Sequence, residues 1–208
     1  IGAEYSGNIV RALGFYQQAL ALHRSQDDAR GIASVLNNLG SIADTQGDYE
    51  TARRHYQESL AICERIGYKQ AVGVLNNNLG VLYERLRDYA QAHHHYTHSL
   101  NVGTAVGDKR NRAYALGNRA NVAFLLGRWA DAEADALDAL RVALDLELVT
   151  ILYDIMNALA MVWLKRSAND AERERGLRWA VHLLIAEKAN EDFKQLRLPD
   201  LRAVLADV

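Results

Sequence analysis

The chain has 208 residues, with 24 basic side chains against 26 acidic ones, and half of its residues are hydrophobic. That near-neutral balance excludes the basic footprint of a nucleic-acid binder, the densest basic cluster being the short Lys109, Arg110, Arg112 run. A single proline argues against a loop-rich β fold and for long helices, and no run approaches the roughly 20 apolar residues of a membrane span.

Ile1–Arg30 reads as part of a unit that recurs further on. Gly7 to Leu22 aligns with Gly47 to Ile62, so the segment supplies the second helix of a pair. The chain opens on Ile1 without a methionine or secretory signal, and the expectation is that more polypeptide precedes it.

Three full units follow, at residues 31–70, 71–110 and 111–150, each displaced by 40 residues from the last. Their anchor positions recur at that step. Gly40, Gly80 and Ala120 are small; Tyr49, Tyr89 and Trp129 are aromatic; Ala12, Ala52, Ala92 and Ala132 form an unbroken column. Tyr16, Tyr56 and Tyr96 form a second aromatic column, and Leu20, Leu60, Leu100 and Leu140 a leucine column.

Each unit reads as two helices. In the first, Val35, Leu39 and Ile42 lie at helical spacing and predict helix A over 32–46. Gly47-Asp48 breaks the pattern. Helix B is predicted over 49–66, with Ala52, Tyr56, Ser59 and Leu60 inward, the tyrosines filling space between neighbouring units. Gly67, and Gly107 one period later, suit helix C-termini that need a positive φ. One unit cannot bury its apolar face alone, so stacking supplies the core. Residues 151–208 read as a divergent fourth unit plus a cap. Asn157-Ala158-Leu159-Ala160 aligns with Asn37-Asn38-Leu39-Gly40, a charged stretch at 165–175 falls out of register, and Trp179, Leu183 and a short helix after Pro199 follow.

Leu39-Gly40, Leu79-Gly80, the alanine column and Tyr56/Tyr96 match the tetratricopeptide signature, in a unit longer than the usual roughly 34 residues. The Leu36–Gly40 string resembles the repeats of kinesin light chain, Pins-type adaptors and large bacterial regulators. The resemblance implies an all-α fold, a right-handed superhelical solenoid of antiparallel helix pairs forming one domain. It also implies that helix A lines a concave groove.

Carried over residue by residue, the groove face comprises Asn37, Ser41 and Asp44; Asn77, Val81 and Glu84; Asn121 and Phe124; and Asn157 and Met161. Asn37, Asn77 and Asn157 occupy one column, with Gly117 as the gap. An asparagine amide both donates and accepts, so such a row can pair with a peptide backbone without reading its side chains. The competing reading is that these amides bridge neighbouring helices, as the companion row Asn38, Asn78, Asn118 is expected to do.

Other chemistry is thinly supported. His94 and His98 stand four apart, the spacing that clips a metal, yet two ligands without an H-E-x-x-H pattern are more simply a solvated helix face. Cys63, the sole cysteine, suits a reducing compartment and reads as a buried inert thiol. No phosphate-binding glycine loop or nucleophile elbow occurs, so no catalytic residue, metal or cofactor is expected. The expected role is a protein- or peptide-binding scaffold, the sensor or interaction part of a larger cytoplasmic bacterial regulator. A small-molecule-sensing helical domain and a homo-oligomer formed through the array's ends are the alternatives.

Overall fold

The structure, a computed structural model, describes residues 2–166. The expectations for Trp179, Leu183 and the helix after Pro199 lie outside the described residues. Among the described residues every element is a helix: α1 (Gly2–Ser25), α2 (Ala29–Thr45), α3 (Tyr49–Arg65), α4 (Lys69–Arg85), α5 (Tyr89–Val106), α6 (Lys109–Leu125), α7 (Trp129–Asp145) and α8 (Val149–Arg166). The fold is all-α, as the periodicity predicted, and consecutive helices pack as pairs. The chain divides between Val102 and Gly103 into two compact units.

The joints between helices are built alike. A residue with positive φ follows the helix at every twentieth position: Asp27, Gly47, Gly67, Arg87, Gly107, Gly127 and Glu147. The next residue's amide then bonds back across five residues, as in Asp48 N to Ala43 O at 2.9 Å and Tyr68 N to Cys63 O at 2.8 Å. This is the Schellman closure, which satisfies carbonyls that the helix end leaves without partners. That same residue is the N-cap of the next helix. Asp28, Asp48, Asp88 and Asp108 each accept from the amide three residues on. Tyr68 and Arg128 occupy the equivalent place at α4 and α7 and make no side-chain cap.

In the first unit, the α2–α3 and α4–α5 pairs are closed by the same two devices. Ser59 Oγ donates to Ala33 O at 2.7 Å, and Ser99 Oγ donates to Gly73 O at 2.8 Å, all four groups buried. Tyr56 fills space against the next repeat, as expected, and the tyrosines also close their own repeats. A Cβ on Gly40 would fall 2.7 Å from the Tyr56 ring, and one on Gly80 would strike the Tyr96 ring, so each tyrosine lies across the glycine of its own unit. Tyr56 shares one buried cluster with Ala52, Cys63, Leu75, Leu79 and Leu82.

In the second unit, α7 packs on α6 and on α8, and α6 also packs directly on α8. Arg119 of α6 holds Asp135 of α7 through two bonds of 2.7 and 2.6 Å. These residues stand in the columns that hold Leu39/Leu79 and His55/His95 earlier in the chain, so an ion pair occupies positions that are leucine and histidine in the earlier repeats.

Candidate functional site

The first unit places its candidate residues on the face shared by α2 and α4. Asn37 and Asn78 are half-buried and joined, Asn78 Nδ2 donating to Asn37 Oδ1 at 2.8 Å. The predicted groove row and its companion row therefore meet in one amide pair. Asn77 is half-buried and engaged, and Val81 is half-buried. Ser41 is exposed and stands near the Tyr56 hydroxyl, whose pKa burial pushes up to about 12. Tyr96 OH donates to Glu84 Oε2 at 2.9 Å, and burial, then the Glu84 carboxylate, raise its pKa.

Asp44 is only 7% exposed. Arg85 Nε lies 3.5 Å from its Oδ1, and burial raises the carboxyl pKa against the opposing pull of Arg85. Asp44 and Glu84 are thus held by partners within the unit, and Ser41, Asn37 and Val81 form the more accessible part of the face.

Beside Asn37 a cleft of about 220 Å³ opens between α2, α3 and α4. Ala33, Ser59, Cys63 and Leu75, all buried, lie at its base, and Ser34, Tyr68, Gln70 and Val74, all exposed, stand at its rim. The Arg30 guanidinium sits 5.1 Å above the Tyr68 ring. Cys63 is buried and its thiol pKa is raised by that burial, which opposes thiolate chemistry. Most of these residues escaped the sequence reading. The available signals were Tyr68 standing in a column of capping aspartates and Val74 standing in an outward-facing column.

In the second unit the candidates lie on α6 and α8. Asn121, Asn157 and Met161 are exposed. Phe124 is half-buried and packs on Ala123, Ala132 and Val162. Gly117, the gap in the asparagine column, has a physical reason: a Cβ there would lie 3.1 Å from Ile155 Cγ1. Absence of a side chain on α6 lets Ile155 of α8 close the space that remains open between α2 and α4.

The histidine cluster is partly structural. His95 stacks on Tyr83 with ring centroids 5.2 Å apart, and its Nδ1 lies 3.0 Å from Asn76 Oδ1. Asn76 Nδ2 donates to Val72 O, so its Oδ1 accepts from the Nδ1–H tautomer of His95. Burial, then His94 and His98, lower the His95 pKa to about 4. No group of three or more metal-ligating side chains occurs among the described residues, and no described helix is long and apolar enough to cross a membrane.

The comparisons agree with this architecture. The solved crystal structure of BtubC (BKLC) from P. vanneervenii superposes with a TM-score of 0.74 at 19% identity, over 89% of this chain and 76% of that one. No curated protein matches the sequence. The family model for the tetratricopeptide repeat matches residues 3–65 and 71–145, more than half of the chain. Repeats of this family are in general non-catalytic scaffolds that mediate protein–protein interactions. With its glycine-on-tyrosine helix pairs and recurrent joints, this chain belongs to the tetratricopeptide repeat family.

Proposed function

We propose that this chain is a protein- or peptide-binding scaffold without catalytic activity of its own, serving as the interaction part of a larger bacterial signalling or transcriptional regulator in the cytoplasm. The partner lies on the outward faces of the A helices, in the first unit along Asn37, Ser41, Asn77 and Val81, and in the second along Asn121, Phe124, Asn157 and Met161. The observation that carries the reading is the Asn37–Asn78 pair. Each amide spends one half on the other. Asn37 keeps its NH₂ donors and Asn78 its carbonyl, the complement of the alternating groups along an extended peptide backbone. The cleft beside the pair holds about 220 Å³. Whole small-molecule ligands occupy pockets of roughly 300–1,000 Å³, so this cleft suits one side chain of a peptide better than a whole small molecule.

The test is capture from a displayed library of random peptides, comparing the parent chain with the triple variant Asn37→Ala, Asn77→Ala, Asn157→Ala. Circular dichroism first establishes that both are equally helical. Peptides retained by the parent and lost by the variant support the reading. Equal capture moves binding away from the asparagine column.

A further inference from the structure

We infer, resting on the peptide-binding reading above, that the cleft between α2 and α4 is an anchor subsite for one aliphatic side chain of an extended peptide that carries an acidic residue on the Arg30/Lys69 side of that anchor.

Size sets the first limit. An apolar cavity of about 150 Å³ accepts a benzene molecule. The 220 Å³ of this cleft is therefore enough for one large side chain. Chemistry sets the second. Its base is formed by Ala33, Cys63, Leu75 and Ser59, whose hydroxyl is spent on Ala33 O, and its wall by Ala71 and Val74; the polar Ser34, Asn37, Tyr68 and Gln70 stand at the rim, and no charged side chain lines it. A charged anchor would lose its hydration there without a partner. Val74 is 42% exposed directly beside buried Leu75, so an apolar occupant removes water from surface that the fold leaves wet. Asn37, at the edge of the cleft, directs donors to the carbonyl of the anchored residue, because its own Oδ1 already accepts from Asn78.

Charge sets the third. The rim at the start of α2 and α4 carries Arg30, over Tyr68, and Lys69, and neither side chain makes an ion pair with a described residue. Asp28, the nearest carboxylate along α2, is occupied by the Gly31 amide at 3.0 Å and by His23 at 2.9 Å. Arg30 and Lys69 therefore offer two cations beside an uncharged pocket, with the Asp28 carboxylate engaged elsewhere.

The test is an array of short extended peptides that vary only a central residue (Leu, Ala, Phe or Lys) and one neighbour (Glu or Lys), probed with the parent chain, Val74→Arg, Ser34→Arg, Asn37→Ala, and the double variant Arg30→Glu/Lys69→Glu. Val74 and Ser34 are exposed, so an arginine at either position blocks the cleft without entering the core. The parent is expected to prefer Leu-centred over Lys-centred peptides about tenfold or more. Val74→Arg and Ser34→Arg remove that preference, and the double variant reverses the choice between Glu and Lys. Peptides that depend on Asn37 but show no central preference overturn the anchor and leave the scaffold reading standing. An array on which nothing binds overturns both.

Discussion

Removing one partner of the Arg119–Asp135 pair is the sharpest test of how the second unit is held together. The two side chains are 19% and 13% exposed and share two short bonds. Arg119→Leu leaves the Asp135 carboxylate largely out of water with neither bond. Breaking a buried pair in this way costs about 3–5 kcal/mol, chiefly as the penalty of the orphaned charge. The double variant Arg119→Leu/Asp135→Ala removes that penalty. It restores the leucine that stands at this column in the earlier units and should lie within about 1–2 kcal/mol of the parent. Urea unfolding followed by helical circular dichroism and by tryptophan fluorescence measures both, Trp163 donating to Glu133 of α7 at 2.8 Å and so reporting on the same unit. A repeat array need not unfold in one step, so the transition sensed by Trp163 is the relevant one. A cost below about 1 kcal/mol for the single variant, or a double variant no more stable than it, would refute the argument that orphaned charge dominates.

Gly80→Ala should destabilise the α4–α5 pair by about 1–3 kcal/mol, because the added methyl strikes the Tyr96 ring; a thermal melt unchanged from the parent would show that the ring yields freely. Arg87 has φ 60° at a joint where four of its counterparts are glycine. Arg87→Gly should therefore raise stability by up to about 1 kcal/mol, read as a higher urea midpoint, while Gly67→Ala, at φ 69°, should lower it by a similar amount. His95 makes stability depend on pH. Its folded pKa of about 4 lies below the ordinary 6.5, so between those values the unfolded chain binds the proton and the folded chain does not. Stability is complete above about pH 6.5 and falls as pH drops towards 4. The loss is about 1–2 kcal/mol after allowing for solvent screening of the half-buried ring, and His95→Gln should flatten that limb of the profile.

Helix type, helix order and the joint glycines were legible in the sequence because they are local. Period-3.6 apolar spacing and a glycine needing positive φ act within a few residues of one another, and a 40-residue repeat states the pattern several times over, whereas the capping role of the aspartates emerged only from the structure. The glycine and alanine columns were equally legible as points of close approach. Tertiary structure alone decided how the faces meet. Asn37 and Asn78 are far apart in sequence, and only the spacing of α2 and α4 turns two separate rows into one amide pair. Asp44 has the pattern of a groove residue, yet the height at which α4 passes brings Arg85 over it and buries it. The cleft belongs to no single helix. It exists because α2 and α4 stand apart beside Asn37, whereas Gly117 lets Ile155 close the equivalent space between α6 and α8. Such differences arise from side-chain volume summed across three helices, which periodicity along one helix does not encode.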